Sequence, residues 1–292
     1  MKKSILFIVL VLSLLLTACS GEEGDKDKDI SASPVTDNPD SSDAGDLKLF
    51  YFELGKADAF IIYNKKTTIL IDTGEKGDGK DVLQYMENNN IDKIDYMFIT
   101  HFDQDHVGGA NKILGNTDVK QIYTSNYIKE SDEYNSFMSK ASEKKIPNTV
   151  LREDLTFEEN GIKVEVNVPA RDIYEEDPSN NSSLIIRISY GENSFLFMGD
   201  AEEERIREYL RTNPAPCDVL KMPYHGHYMG CLSELIDAVQ PKYAIITSSK
   251  EDKESDDTRE LLKSKKVDEK RTRKGSVFIQ CNGKEFSVSQ GA

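Results

Sequence analysis

The chain has 292 residues, of which 38% are hydrophobic and 30% are charged, and its formal net charge is −15. A chain of this length and composition can bury a sizeable hydrophobic core, so a largely disordered or fibrous protein is excluded. The acidic surface repels long polyanions in general, which excludes broad coating of nucleic acid but not a local binding site.

The first residues have the features of an exported protein. Two lysines precede an apolar run over 5–16, which is short for a membrane span but has the length of a signal-peptide core. The run ends in the letters LTAC, which resemble the cleavage box of a bacterial lipoprotein. We expect residues 1–18 to be a lipoprotein signal peptide and Cys19 to carry lipid. The protein would then be extracytoplasmic and lipid-anchored to the bacterial cell membrane. An ordinary signal peptide or anchor with a chance Cys is the alternative.

A low-complexity segment follows the predicted lipid anchor. Residues 20–46 are rich in Asp, Ser, Pro and Gly and contain almost no large apolar side chains. Such a composition cannot bury enough apolar surface to fold. We therefore expect residues 19–46 to form a lipidated Cys and a disordered tether. The folded domain is predicted over residues 47–292, and we predict no protein partner for it.

The predicted elements of the folded domain alternate irregularly between strands and helices. Apolar runs and alternating patterns predict strands at 47–54, 58–63, 67–72, 94–100, 162–168, 183–190, 194–198, 218–222 and 242–248, and a final hairpin at 276–288. Helical patterns fall at 80–89, 109–114, 131–144, 201–211, 232–239 and 256–265. Strand clusters at both ends fit an α/β fold in which two sheets pack face to face with helices outside.

The four histidines fall in two short stretches, 101–106 and 225–227. The first stretch, HFDQDH, directly follows the predicted strand 94–100. A rigid strand can point neighbouring side chains at one centre, and acidic groups at this density would repel one another without a cation. The stretch therefore predicts a metal site, and a polar loop with its acids in water is the alternative. The candidate ligands are His101, Asp103, Asp105 and His106.

Two further predicted strands end in candidate ligands. Asp200 follows the strand 194–198 and precedes an acidic helix start. A carboxylate there can bridge two metal ions, although an Asp at such a junction is more often a helix cap. His225 and His227 follow the strand 218–222, and taken alone they are equally typical of metal ligands and of a solvated loop.

Together these residues resemble the metallo-β-lactamase superfamily, which carries a His-x-His-x-Asp-His loop after a strand, a bridging Asp downstream and a last His. The closer resemblance is to the ComEC-type competence hydrolase domain and its stand-alone lipoprotein relatives, and it covers residues 47–292. It is carried by LGKADA (54–59), ILIDTG (69–74), THFDQDH (100–106), NNSSL (180–184) and the strand end at 218–226. The resemblance implies a four-layer αββα metallo-β-lactamase sandwich.

The resemblance also implies a site for two divalent metal ions. By position, the first ion would be bound by His101 and Asp103, the second by Asp105, His106 and His225, with Asp200 as the bridge. Two such cations lower the pKa of a water and stabilise charge on the attacked centre, so no protein nucleophile is required.

The catalytic candidates follow from the same positions and are Asp105, Lys221, His225 and His227. The resemblance places Asp58, Asp72 and Lys221 behind the ligands or facing the substrate, and a purely structural role for Asp72 is equally open.

The chain differs from the family pattern at several positions. Asp103 replaces a His, which makes the ligand set richer in oxygen and favours Mn²⁺ relative to an all-His zinc site, with Zn²⁺ still open. The usual third His is absent, and residues 180–183 occupy that region. Tyr224 and His227 replace the first His and the Ser of His-His-Gly-Ser, and a later His-Pro is missing. His227 is open as a general acid, a spare ligand or a surface residue.

Two smaller features each allow two interpretations. Seven lysines and arginines fall within residues 263–274, either as a solvated helix end or as a landing patch for a phosphate-bearing polymer. Cys217, Cys231 and Cys281 are an odd number of thiols for an oxidising compartment. Either the first two form a disulfide around the second His stretch, or all three are small buried residues.

The sequence thus predicts a metal-dependent hydrolase of phosphodiester bonds, with DNA, an anionic wall polymer or a phospholipid head group as substrate. Hydrolysis of another substrate, such as a β-lactam or a thioester, is one alternative, although Asp103 and the missing third His argue against a β-lactamase. A metal-binding surface protein that has lost turnover is the other, and Tyr224 and the missing His-Pro motivate it.

Overall fold

The computed structural model describes residues 44–291, so the predicted signal peptide, Cys19 and most of the predicted tether lie outside the described range. Ala44 is fully buried, and its carbonyl accepts a hydrogen bond from the Lys65 N–H at 3.0 Å. The folded domain therefore includes residues before residue 47, its predicted start. Between residues 44 and 291, no helix has the length and apolar character to cross a membrane.

The described residues form fifteen strands and seven α-helices. The strands are β1 (Leu47–Tyr51), β2 (Phe60–Tyr63), β3 (Thr68–Ile71), β4 (Lys93–Ile99), β5 (Asp118–Thr124), β6 (Asn148–Val150), β7 (Leu155–Glu159), β8 (Ile162–Asn167), β9 (Ile185–Tyr190), β10 (Asn193–Phe197), β11 (Val219–Lys221), β12 (Tyr243–Ile246), β13 (Asp268–Arg271), β14 (Val277–Cys281) and β15 (Phe286–Gln290). The helices are α1 (Gly79–Asn88), α2 (Gln104–Val107), α3 (Ala110–Asn116), α4 (Asp132–Lys144), α5 (Glu203–Leu210), α6 (Leu232–Val239) and α7 (Asp256–Ser264).

The strands form two mixed sheets. The first has the order β15-β14-β1-β2-β3-β4-β5-β6 and the second the order β13-β12-β11-β10-β9-β8-β7. Strands β3 to β6 run parallel in the first sheet, and β10 to β13 run parallel in the second. Because carboxyl ends of parallel strands meet at one edge of a sheet, side chains that follow β3, β4, β10 and β11 can converge.

Three buried apolar clusters define four layers. The central cluster joins inner faces of the two sheets, and the rings of Tyr51 and Phe197 stack across it with centroids 5.6 Å apart. A second cluster packs the first sheet against α1, α3 and α4, with Phe137 fully buried. A third packs the second sheet against helices that include α6, with Leu235 fully buried. The predicted αββα sandwich is therefore confirmed.

The sequence patterns missed several elements, namely β5, β6, β7, β13 and α2. The strand β13 reads DEKR and pairs in parallel with β12 at the open edge of the second sheet. Charged side chains are common on edge strands, where they discourage pairing with another chain. Because β13 has no alternating hydrophobic residues, the sequence pattern does not predict it as a strand.

A buried arginine joins helix α5 to the segment before β9. The Arg205 guanidinium donates to the Ser183 carbonyl at 3.1 Å, to Glu208 Oε1 at 2.9 Å and to Asn167 at 2.8 Å. Its backbone N–H donates to Asn181 Oδ1 at 3.1 Å. Arg205 is fully buried, so these bonds replace its hydration and fix the segment 181–183 against the helix.

We expect Arg205→Met to lower the free energy of unfolding by about 3–5 kcal/mol, because a buried ion-pair partner and several acceptors lose their donor. Urea denaturation would measure the change. Arg207→Met in the same helix is the matched control, since the Arg207 side chain is 43% exposed and its pairs with Glu203 and Glu234 are exposed. That variant should lose at most about 1 kcal/mol. Equal losses in the two variants would contradict this account of Arg205.

A second buried ion cluster includes two arginines of the basic run at 263–274. The Glu254 carboxylate pairs with Arg271 at 3.1 Å and Arg273 at 2.7 Å, and it accepts the Ser248 hydroxyl at 2.8 Å. Although burial acts to raise it, these donors lower the pKa of Glu254 to about 2. Lys265 pairs with Asp237. Three of the seven cations in the run therefore have acidic partners, which argues against a landing patch that uses all seven.

The lowered pKa makes the contribution of Glu254 depend on pH. The contribution is complete above the usual value of 4.5 and is lost as pH falls towards the folded-state value. We expect Glu254→Gln to cost about 1–3 kcal/mol at neutral pH and progressively less below pH 4.5. Urea unfolding of both proteins over a pH series would show this convergence. A difference that stays constant down to pH 2 would rule out the carboxylate charge as its source.

Candidate metal centre

Asp72 organises the first half of the site at the ends of β3 and β4. It directly follows β3 with a left-handed backbone, φ 55°. Its carboxylate accepts the Thr100 N–H at 2.8 Å and the Thr100 hydroxyl at 2.7 Å, and it contacts His106 Nδ1 at 2.9 Å. His106 Nε2 is thereby turned towards Asp200, whose Oδ2 lies 3.2 Å away.

Two backbone contacts explain why the His-rich segment folds onto the strand end. The Thr73 N–H donates to the His106 carbonyl at 2.8 Å. A Cβ added at Gly109 would lie 2.1 Å from the Thr73 carbonyl oxygen, so only a glycine permits this approach. The short helix α2 and the turn after β3 are therefore packed backbone to backbone, which fixes Asp105 and His106.

The compact part of the site contains four buried side chains whose ligand atoms lie within 4.8 Å of one another, and they are Asp105, His106, Asp200 and His225. His225 Nε2 lies 2.8 Å from Asp200 Oδ2 and 3.4 Å from Asp105 Oδ2. His225 follows β11 in a left-handed conformation, and its Nδ1 lies 3.2 Å from the Thr247 hydroxyl. Four of the six predicted ligands therefore converge.

The other two predicted ligands lie beside this group in a looser arrangement. His101 is fully buried, and its Nε2 is 3.9 Å from Asp103 Oδ1. Asp103 is also held from outside, because Lys129 donates to its Oδ2 at 2.7 Å and the Ser179 hydroxyl donates to its Oδ1. The structure thus assembles one half of the predicted dinuclear site and leaves the ligands of the other half partly paired with protein donors.

The charges of the compact group are strongly coupled. Burial opposes the charged form of His225, but Asp200 and Asp105 raise its pKa to about 9. Burial likewise opposes the charged form of His106, and Asp200 and Asp72 raise its pKa well above the usual value. His101 differs, because burial and the neighbouring His106 lower its pKa. Positive charge in the group thus offsets its carboxylates.

The orphaned atoms of the site fit a divalent cation. His101 Nε2 and Asp200 Oδ1 are buried and lack a hydrogen-bond partner. The Nε2 atoms of His106 and His225 are also buried and make no well-directed hydrogen bond, although Asp200 Oδ2 lies 3.2 Å and 2.8 Å from them. A buried polar atom without a partner is costly. Imidazole nitrogens and carboxylate oxygens are ligands of both Zn²⁺ and Mn²⁺, and metal binding requires the neutral imidazole. The residues present are therefore able to hold metal ions, and they do not identify the metal.

Two of the predicted catalytic residues lie outside the group of ligands. Lys221 is fully buried, pairs with Asp58, lies 3.6 Å from Asp200 Oδ1 and donates to the Gly199 carbonyl at 3.1 Å. It therefore positions carboxylates and does not face solvent. His227 is half-buried at the rim, with its Nε2 3.2 Å from Asp252 Oδ1.

Several residues that contact the site were not singled out by sequence patterns, namely Lys56, Thr100, Lys129, Ser179 and Thr247. Thr100 had a local signal, since it separates a buried strand from the first His. Lys56 stands within the LGKADA stretch, but the resemblance gave it no role, and Lys129 is a lone lysine in a loop without a pattern. Of the two interpretations of the thiols, the structure agrees with the second, because Cys217, Cys231 and Cys281 are all buried free thiols.

Groove size alone does not locate this site. A groove of about 930 Å³ lies at the other end of the first sheet, where Thr68, Lys93 and Asp118 begin β3, β4 and β5. No histidine lines it, and its lysines and aspartates are mixed. The buried ligand cluster therefore remains the chemical centre of the described residues.

Comparison with known proteins relates this site to two competence-type proteins. The chain is 28% identical over 179 residues to ComE operon protein 3 of Bacillus subtilis, which covers 59% of this chain and 22% of that protein. It is 26% identical over 203 residues to Recombination protein 2 of Haemophilus influenzae, which covers 68% and 24%. The predicted resemblance to the ComEC type is therefore confirmed at modest identity. The chain spans less than a quarter of the length of these two relatives.

Comparison of folds and of family profiles gives the same assignment. The metallo-beta-lactamase fold protein YhfI from Bacillus subtilis superposes with a TM-score of 0.54 at 11% identity, over 77% of this chain and 95% of that one. This likeness shows the fold alone. Residues 53–248 match the profile of the metallo-beta-lactamase superfamily, which is more than half of the chain. The chain therefore belongs to the metallo-β-lactamase superfamily.

Proposed function

We propose that this protein is an extracytoplasmic, lipid-anchored, metal-dependent hydrolase of phosphodiester bonds. The observation that carries the proposal is the convergence of Asp105, His106, Asp200 and His225, whose buried ligand atoms lie within 4.8 Å of one another. The ligand set is rich in oxygen, which suits hard divalent cations such as Mn²⁺ as well as Zn²⁺. DNA or an anionic wall polymer is the proposed substrate class.

The protein's own residues would prepare the centre for catalysis. When bound, two divalent ions would supply a water of lowered pKa and neutralise charge that develops on the phosphoryl group. Asp72 orients His106 through Nδ1, and Thr100 holds Asp72 in place. Such supporting contacts usually matter for metal affinity as much as the ligands' identity. The Ser183 hydroxyl accepts the Asp200 N–H at 3.1 Å, which fixes the backbone of the proposed bridging residue.

The position of His227 supports a role at the substrate rather than at the metals. Its side chain is 36% exposed and pairs with Asp252, and its ring lies 4.9 Å from that of Tyr224. From this half-buried position, His227 can donate a proton to a leaving group only if the substrate extends to the His227 side chain. We therefore assign His227 to leaving-group contact and Lys221 to positioning.

A second candidate function is metal binding without turnover. The observation that favours it is the pairing of Asp103 with Lys129 and Ser179, which leaves the first predicted metal position incompletely formed. A protein that binds one ion tightly and lacks the second would have the fold without phosphodiesterase activity.

We expect the purified full-length protein to contain about two metal ions per chain and to hydrolyse bis(p-nitrophenyl) phosphate. Asp105→Asn should lower turnover by at least about 100-fold and reduce metal content, because one of the four predicted ligands in the compact group loses its negative charge. Metal analysis and a chromogenic assay would measure both. Asp172→Asn is the matched control, since that carboxylate is 82% exposed and pairs with Arg152.

Unchanged phosphodiesterase activity in Asp105→Asn would refute the proposed hydrolase site. Bound metal without turnover in the wild-type protein would instead support the second candidate function. Absence of metal from the wild-type protein, after purification with added Mn²⁺ or Zn²⁺, would refute both.

The proposed anchoring has its own test. When the full chain is produced in a bacterium fed radiolabelled palmitate, the wild-type protein should incorporate label and Cys19→Ala should not. Cys217→Ala is the control, because that thiol is buried in the domain. Equal labelling of wild type and Cys19→Ala would show that Cys19 does not carry the lipid.

A further inference from the structure

Two lysines reach the candidate metal centre from loops on different parts of the first sheet. Lys56 lies in the turn between β1 and β2, and its Nζ is 3.1 Å from Asp105 Oδ2. Lys129 lies between β5 and α4, and its Nζ is 2.7 Å from Asp103 Oδ2. Their side chains are 37% and 46% exposed, whereas Lys221 is fully buried. Lys56 and Lys129 therefore approach the centre from solvent.

Each ammonium group contacts the carboxylate of a predicted metal ligand. Asp105 Oδ2, the partner of Lys56, also faces His225 Nε2 at 3.4 Å. Asp103, the partner of Lys129, faces His101 Nε2 at 3.9 Å through its other oxygen. Ion pairs with exposed lysines are weak, while a directly coordinated divalent ion carries twice the charge. A divalent ion on Asp105 Oδ2 would therefore displace Lys56, and an ion on Asp103 would weaken its pair with Lys129. Both ammonium groups would remain beside the centre, because their loops hold them there.

We propose that Lys56 and Lys129 form a two-point grip, in which each ammonium group binds a phosphoryl oxygen of the substrate. The ammonium groups become available to the substrate when metal ions bind Asp105 and Asp103. The inference rests on the proposed function for its substrate class. A lysine binds phosphate as a compact, mobile point charge. Since the two lysines contact different carboxylates, Asp105 and Asp103, they can bind two non-bridging oxygens of one phosphodiester.

The charge of the whole chain makes such a local grip necessary. With a net charge of −15, the surface repels a polyanion at long range. The basic run at 263–274 cannot compensate as a whole, because Arg271 and Arg273 are committed to Glu254. Positive charge beside the centre would then decide which anions enter, and its effect would weaken with salt.

The test measures binding of metal and of anion separately on the full-length protein. Isothermal titration calorimetry would follow Mn²⁺ binding first and inorganic phosphate binding to the Mn²⁺-loaded protein second. The variants are Lys56→Met and Lys129→Met. Lys163→Met is the matched control, since Lys163 is 45% exposed and pairs with Glu165 at 2.8 Å on β8 of the second sheet.

We expect each of the two variants to weaken phosphate binding about five- to twentyfold and to reduce its salt dependence. Mn²⁺ affinity should stay the same or rise, because a competing cation has been removed. Lys56→Arg should retain phosphate binding, and the control should behave as the wild type.

The two-point grip is overturned if phosphate affinity is unchanged in either methionine variant. It is also overturned if Mn²⁺ affinity falls in parallel with phosphate affinity, because the lysines would then merely maintain the structure. Failure of the proposed function is distinguishable. A wild-type protein that hydrolyses no phosphodiester but binds phosphate in a lysine-dependent manner would retain the grip and refute only the hydrolase.

Discussion

Buried negative charge is the constraint on which the candidate site depends. Four carboxylates of the site are almost fully buried, and they are Asp58, Asp72, Asp105 and Asp200. Like charges at this density are unfavourable in a protein interior unless cations compensate them. The buried ammonium of Lys221 and the two imidazoles of the compact group supply that compensation. These groups lie in or next to strands of both sheets, so the charge balance of the site depends on both sheets.

The fold and the compact group could be predicted because each depends on local sequence. Buried strands that end in a ligand, as at His101 and Asp200, combine a hydrophobic run with a polar residue at its carboxyl end. The order of such strands along the chain, together with the family resemblance, was sufficient to predict the αββα sandwich. The charged edge strand β13 could not be predicted, because its pairing with β12 is decided by the neighbouring chain rather than by its own residues.

The remaining contacts of the site depend on tertiary structure alone. Nothing in the sequence around Lys129 shows that its loop returns to Asp103, and nothing around Arg205 shows that its helix supports the segment containing Ser183. Both contacts join residues that are distant in sequence. The same holds for the pairing of Asp103, which gives this predicted ligand two protein donors, Lys129 and Ser179.

The three thiols of the described domain have a consequence for where the protein can fold. Burial raises the pKa of Cys217 to about 12 and that of Cys231 to about 11, and Cys281 is buried as well. The thiolate is the form that oxidises and exchanges, so these sulfurs are chemically quiet once the core has closed. We therefore expect the folded domain to keep these thiols reduced in an oxidising compartment as well as in a reducing one.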